Sequence, residues 1–277
     1  MKTGATLIRE IDATEVAPGG LAFWWLGQMG YVAKVNTGRA QKVLYLDPYL
    51  APRATRQVPP LLDPGLIAHA DYVLGSHDHG DHIDPLAIRG IVEASPQARV
   101  VTSRVARRHV LDLGATAERA IGLDEGLCYE DADGLRISAI AAQHESFDRD
   151  ATLGFPYLSF IVEAGGLTLF HAGDTLRYDG QVVALARWRF DVAFLPINGR
   201  DAERLARNCI GNMTYQEAVD LAGTLAPGLV VPGHYDMFAD NPGDPQAFVA
   251  YLGVKYPALR AWVGAHGERV VLNPRPR

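Results

Sequence analysis

Three of the nine histidines fall within six consecutive positions, His77-Asp78-His79-Gly80-Asp81-His82, interleaved with two aspartates. Imidazole and carboxylate are ligands for divalent transition metals, and a run this rich in neutral imidazoles has no evident packing role at the end of a strand. In an extended chain His77 and His79 project to the same side, and Asp81 and His82 follow on a turn that can fold back to face the same point. The residues just before, YVLGS at 72–76, form an apolar run that reads as a buried strand. The pattern is therefore a strand that delivers a ligand-bearing loop.

Such a centre needs further donors from distant parts of the chain, and the same signature, a polar residue closing an apolar run, recurs three times. His144 ends the strand at 137–142, Asp174 follows the strand at 167–171 in HAGDT, and His234 ends LVVPGH. The expected ligands are His77, His79, Asp81, His82, His144, Asp174 and His234. Glu145 and Asp148 lie beside His144, and either carboxylate is an alternative to it as ligand or a partner that orients it. Five imidazoles and two carboxylates without a thiolate suit Zn²⁺ and also accept Mn²⁺ or Fe²⁺.

These donors must be carried by a scaffold. LAFWWLGQMGYVAKV at 21–35 is aromatic and β-branched around Gly27 and Gly30 and predicts two short strands about a tight turn, with Trp24 and Trp25 in the core. KVLYL at 42–46 is a third strand, closed by the turn signal Asp47-Pro48. Residues 51–65 contain four prolines and two arginines, and predict a long loop suited to substrate access or a subunit contact. Helical spacing at 85–94 and at 103–113, the latter capped by Ser103, flanks a strand at 99–101. Strands at 135–141, 158–163 and 167–171 follow, the last two as a hairpin around Gly165-Gly166. Helices near 181–188 and from Thr214 then alternate with strands at 192–197 and 229–232. Thr214 and Glu217 form a capping box, Ala218, Leu221, Ala222 and Leu225 give an apolar stripe, and Pro227-Gly228 ends the helix. Strands first and αβ alternation afterwards predict an α/β protein with helices outside a central pair of sheets.

Composition excludes several classes. The 277 residues are 48% hydrophobic and 21% charged, the profile of a globular protein and not of a disordered, collagenous or coiled-coil chain. A single domain over 1–277 is expected. The formal charge of -6, with acidic and basic residues interleaved, gives no basic face for nucleic acid. No apolar run reaches the length of a membrane span. Arg9, Glu10, Asp12 and Glu15 occupy the region that an export signal would keep apolar, so a cytoplasmic protein is expected. Cys128 and Cys209 form no CxxC pair and are expected to be buried thiols, and His69, His109 and His266, without companions, to be structural.

The run at 77–82 has the form His-x-His-x-Asp-His and resembles the metal loop of the metallo-β-lactamase superfamily. Within it, WWLGQMGYVAK, SHDHGDHID, HAGDT, PINGRD, GNMTYQEAVDLAG and PGHYDMF resemble the L-ascorbate-6-phosphate lactonase group, over residues 16–256. The resemblance implies an αββα four-layer sandwich of two mixed sheets with helices outside, and metals at the edge between the sheets. It implies two divalent ions per chain: His77, His79 and His144 on one, Asp81, His82 and His234 on the other, and Asp174 between them. Manganese, associated with these lactonases, stands beside zinc and iron as the metal, and the resemblance mildly favours a homo-oligomer.

Two divalent ions about 3.5–4 Å apart activate water near neutral pH and polarise the electrophile. Asp81 and Asp174 are then expected to be catalytic, as ligands or proton acceptors for that water, and Tyr235 to donate to the developing oxyanion. Asn198 and Arg200, in the Asn-Gly-Arg-Asp that follows the strand at 192–197, are expected to bind substrate together with Tyr235, Arg200 by holding a phosphate bidentately. Asp78 and His171 are expected to orient ligands. Arg177 and Tyr178 are weaker candidates for substrate contact. The reaction expected is hydrolysis of a sugar lactone, phosphorylated as in L-ascorbate 6-phosphate, a small-molecule substrate. Two rivals remain: a metal-dependent phosphodiesterase, and a metal-binding protein without turnover, against which the intact ligand set argues.

Overall fold

The computed structural model describes residues 1–274, and its strands gather into two mixed sheets. The first sheet contains β1 (Leu21–Gly27), β2 (Gly30–Asn36), β3 (Gln41–Leu46), β4 (Tyr72–Leu74), β5 (Arg99–Ser103) and β6 (Ala120–Leu123) side by side in chain order, with a C-terminal strand, Arg269–Leu272, on the far edge of β1. Pairing is antiparallel through β3 and parallel from there to β6. The second sheet runs β7 (Cys128–Glu130), β8 (Arg136–Ala141), β9 (Leu158–Ala164), β10 (Leu167–His171), β11 (Val192–Pro196) and β12 (Leu229–Gly233), antiparallel up to β10 and parallel beyond.

Strand β1 shows how the layers arise from sequence. All seven of its residues are buried, which an alternating face cannot achieve unless both faces are covered. Leu21, Phe23 and Trp25 point between the sheets, where Phe23 meets Phe194 edge-on at 5.2 Å, while Ala22, Trp24 and Leu26 point outward into a second core. That outer core is closed by α1 (Gly4–Ala13), which buries Leu7 and Ile11 one turn apart, by α2 (Pro85–Ala94) and by α3 (Arg107–Asp112). On the other side α4 (Gln181–Leu185), α6 (Tyr215–Leu225) and α7 (Pro245–Lys255) cover the second sheet, α7 burying Phe248 in the core that contains Phe170 and Leu195 of the sheet, with the short α5 (Ala202–Ala206) beside them. The order helix, sheet, sheet, helix is the four-layer αββα sandwich expected.

The α6 capping box forms as read, Thr214 Oγ1 accepting from the Glu217 N–H and Glu217 accepting from the Thr214 N–H. Two expectations, on Ser103 and on the cysteines, are corrected. Ser103 is the last residue of β5, and its hydroxyl accepts from Ala106 N–H at 3.1 Å to shape the turn before a helix that starts only at Arg107. The 51–65 loop docks on the fold: Leu61 and Leu62 are buried, and the Arg56 guanidinium donates to the carbonyls of Tyr49, Ala51 and Val58. Cys128 is exposed and Cys209 half-buried. Helix α1 escaped the sequence reading because its buried stripe is just two residues wide. Among the described residues no helix is long and apolar enough to cross a membrane.

Candidate metal centre

The ends of β4, β10, β11 and β12 open on the same edge of the sandwich, and each is followed by a polar segment. In sheets of this kind ligands bind beyond the carboxyl ends of parallel strands. After β4, Ser76 leads into the histidine loop, which turns back through His82 N–H and Ile83 N–H bonds to the His79 carbonyl. This loop, His144 beyond β8, Asp174 beyond β10 and His234 beyond β12 bring their donor atoms together in three overlapping groups: His77, His79 and His144; His77, His82 and Asp174; Asp81, His82 and His234. Within each group the donors lie within 4.8 Å of one another. Asp174 sits centrally, with Oδ1 3.4 Å from His82 Nε2 and Oδ2 3.0 Å from His234 Nε2 and 3.8 Å from His144 Nε2. All seven residues expected as ligands converge here. Glu145 instead lies 3.3 Å from His79 Nε2 and accepts from Tyr157 OH, while Asp148 is exposed and belongs to none of the three groups.

A residue that sequence reading took for a turn marker organises the loop. Asp47, fully buried at φ +41°, accepts from Ser76 N–H at 2.7 Å and from Ser76 Oγ, His82 Nδ1 and His171 Nε2, each at 2.8 Å. Its carboxylate holds the His82 proton on Nδ1 and so turns Nε2 toward Asp81 and Asp174. His77 is fixed likewise, with Nδ1 3.0 Å from Ser76 Oγ. His171 therefore acts by clamping Asp47. Asp78, itself exposed, faces away and pairs with half-buried His109.

Gln28 is the second residue missed. It sits in the β1–β2 turn at φ +56°, and its carboxamide N–H₂ donates to Asp81 Oδ2 at 2.8 Å and lies 3.1 Å from His234 Nε2. The turn is tied across to the β12 end: Gln28 N–H donates to Asp236, which also binds His266, and Gln28 C=O accepts from His234 N–H and Trp25 Nε1. Asp236 and His266 are thus the struts of this turn, and the only sequence signal for it was the glycine pair flanking Gln28-Met29.

Burial pushes the His77 and His144 imidazoles down, so both are neutral donors. Burial opposes charge on His82 and His234 too, but Asp174 with Asp47 and Asp81 outweighs it at His82, and Asp174 with Asp81 at His234, and both are held up. Asp174, although buried, is held well below the usual carboxylate range by His234 and His82. Asp47 is lowered against its burial by His82 and His171. A buried cluster of this kind fits a divalent cation: His82 Nε2 and Asp174 Oδ1 are buried without any hydrogen-bond partner, a costly state that a positive ion between them relieves.

The centre opens into a cavity of about 250 Å³ lined by Gln28, His79, Asp81, His144, Glu145, Asp174 and His234 together with Asn198, residues 208–212, Phe238 and Asn241. Asn198 is thus at the site. Arg200 is not among the lining residues; its guanidinium grips both carboxylate oxygens of Glu217 at 2.6 Å. Tyr235 packs on Trp25, ring centroids 5.1 Å apart, and is also outside the lining. Arg177 and Tyr178 line a different depression with Gln143.

Comparison with known proteins agrees with this geometry. Residues 42–235 match the model of the β-lactamase superfamily domain. A UPF0173 metal-dependent hydrolase of Pyrococcus horikoshii is 29% identical over 217 residues, 77% of this chain and 86% of the relative. A probable L-ascorbate-6-phosphate lactonase of Escherichia fergusonii is 25% identical over 288 aligned positions, 88% of this chain and 77% of the relative. Among solved structures, Igni18, a metallo hydrolase from Ignicoccus hospitalis, superposes with a TM-score of 0.71 at 21% identity, over 92% of this chain and 99% of that one, a likeness of fold. The matched region spans the histidine loop, Asp174 and His234, and with these donors converging at one edge of an αββα sandwich, the chain belongs to the metallo-β-lactamase superfamily of metal-dependent hydrolases.

Proposed function

We propose that the centre holds two divalent ions and that the protein hydrolyses the ring ester of a small sugar-derived lactone. His77, His79 and His144 would hold one ion, Asp81, His82 and His234 the other, with Asp174 between; an oxygen and nitrogen set suits Mn²⁺, Zn²⁺ or Fe²⁺. The observation that carries the reading is two donor groups, His77, His79 and His144 and Asp81, His82 and His234, with the Asp174 carboxylate within 3.0–3.8 Å of His234, His82 and His144, beside a cavity of about 250 Å³. That volume is below the usual range for drug-sized ligands and matches one sugar ring, which favours a small lactone over a phospholipid diester.

Divalent ions in such a site supply Lewis acidity and make water nucleophilic near neutral pH. The chain's own residues do the rest. One of Asp81 and Asp174, Asp81 being oriented by the Gln28 carboxamide, would take the proton of the attacking water and pass it to the ring oxygen as the C–O bond breaks, leaving a hydroxyl and a carboxylate. Asp47 and Ser76 keep the loop imidazoles in the tautomer that directs Nε2 inward at His77 and His82. The 208–212 loop and Phe238 wall the cavity and restrict bulk water.

The test is base uptake in a pH-stat with Mn²⁺- or Zn²⁺-loaded protein on a panel of sugar lactones that includes L-ascorbate 6-phosphate, the substrate named for the lactonase relative. Ring opening releases one proton per turnover; the expected result is metal-dependent uptake that His82→Ala abolishes. Absence of uptake across the panel at full metal occupancy would overturn the lactone reading.

A further inference from the structure

Three asparagines that share the cavity with the metal donors form a row. Asn212 Nδ2 donates to Asn198 Oδ1 at 3.0 Å, and Asn198 Nδ2 donates to Asn241 Oδ1 at 3.0 Å. All three line the cavity. Each carboxamide has two N–H donors and two acceptor lone pairs, so a row that spends one bond per contact keeps capacity for ligand groups, and Asn212 Oδ1 has no partner although the residue is fully buried.

The row is built into the fold. Asn198 bridges to Thr214 just before α6, and Asn212 N–H donates to the Gly199 carbonyl. The segments pass so closely at Gly211, φ +74°, that a Cβ there would lie 2.2 Å from the Gly199 oxygen. Arg204, nearly buried, spends its guanidinium on the Asn198 carbonyl and on the Pro242 carbonyl at 2.7 Å, clamping the backbone on either side of the row. Groups held this rigidly read ligand hydroxyls with little ordering cost.

Charge argues in the same direction. None of the described residues lining the cavity is lysine or arginine, and Glu145 contributes a carboxylate. The guanidiniums nearest in sequence are committed, Arg200 to Glu217 and the Asn212 carbonyl, Arg204 to the backbone and Asp201, and Arg207, beside Asn208, to the Asp240 carbonyl. A phosphate dianion beyond the metals would face no cation and one carboxylate.

Resting on the lactonase reading, we propose that the row Asn212, Asn198 and Asn241 is a hydroxyl-reading wall, and that it selects an uncharged polyhydroxylated lactone over its phosphorylated form. The test compares kcat/KM of the metal-loaded protein for D-glucono-δ-lactone, 6-phospho-D-glucono-δ-lactone and δ-valerolactone, after subtraction of spontaneous hydrolysis. Wild type should prefer the first over the second by at least about tenfold. Asn241→Ala should lower kcat/KM for gluconolactone, mainly through KM, about 10-fold more than for δ-valerolactone, the scale of one or two lost hydrogen bonds. Asn241→Asp, which keeps an acceptor for Asn198 while removing the donor, should behave similarly, and thermal melts of both variants confirm folding. Preference for the phosphorylated lactone, or equal loss on both unphosphorylated substrates, overturns the wall. If no lactone is turned over, the lactonase reading fails and the wall is judged by calorimetric binding of D-gluconate. Binding by wild type that weakens about tenfold in Asn241→Ala sustains it, and absent or unchanged binding refutes it.

Discussion

Replacing Asp47 by asparagine isolates what one buried carboxylate does for the centre. Shape is conserved, and asparagine adopts φ +41° more readily than most residues. Four donors converge on the carboxylate: Ser76 N–H on Oδ1, and Ser76 Oγ, His82 Nδ1 and His171 Nε2 on Oδ2. An amide can accept at only one of these positions. Its better orientation keeps oxygen toward the three side chains and opposes its N–H₂ to the Ser76 N–H, leaving a buried backbone donor unsatisfied at about 1–3 kcal/mol. The other three bonds pass from charge-assisted to neutral, at about half their strength. The metal-free protein should lose about 2–4 kcal/mol in urea unfolding. Independently, His82 loses the anion that fixes its tautomer, which should weaken metal binding about 10–100-fold, about 1.4–2.7 kcal/mol. Chelator-competition titration with Mn²⁺ or Zn²⁺ reads that second effect. Unfolding that shifts while metal affinity stays within twofold of wild type would refute the claim that Asp47 acts through His82, and would leave it a purely structural anchor.

Gln28→Leu removes the donor to Asp81 and should weaken the ion held by Asp81, His82 and His234 about tenfold; metal content at limiting supply, measured by plasma mass spectrometry, should fall toward one ion per chain, and unchanged stoichiometry would refute it. Arg200→Ala should change KM for phosphorylated and unphosphorylated lactones equally, within about twofold, because its guanidinium serves Glu217, and should cost about 0.5–1 kcal/mol of stability; a selective rise in KM for the phosphorylated compound would restore a substrate role. Glu217, despite burial, is held below the ordinary carboxylate range by Arg200 and the Thr214 N–H. A depressed folded pKa adds stability that is present above about pH 4.5 and is lost as pH falls through the folded value. The stability gap between wild type and Glu217→Gln, about 1 kcal/mol at pH 7, should therefore narrow steadily as the pH falls below about 4.5; a gap that does not change with pH in acid would contradict it.

The metal ligands were legible because each ends an apolar run, and strand ends are what the αββα edge brings together. Trp24 and Trp25, adjacent in sequence, were rightly assigned to the core, but that they serve two different cores, one inside the sandwich and one outside, follows from which sheets cover β1 and not from the pair itself. Asp47 was hidden because Asp-Pro is an ordinary turn signal; its four donors come from residues 29 to 124 positions away, and no local spacing encodes them. Arg200 misled for the converse reason. It follows a strand that does reach the site, yet Glu217, the residue already recognised as half of the α6 capping box, lies within reach and takes both of its nitrogens. Of the asparagine wall only Asn198, which follows the strand at 192–197, was legible as a substrate residue; Asn212 and Asn241 carry neutral side chains in no pattern that singles them out before the fold is known.

The histidine loop belongs to the first sheet, whereas Asp174 and His234 leave the second, so a cation shared among them ties the two halves of the sandwich together. Ion occupancy and cohesion of the fold then become one thermodynamic quantity. At free metal 100 times its dissociation constant, the folded state gains about 2.7 kcal/mol from a single site, comparable to a native disulfide. A melting curve taken with and without chelator is for this protein a binding assay that needs no substrate. Metal depletion would then lower the stability of the fold together with its activity.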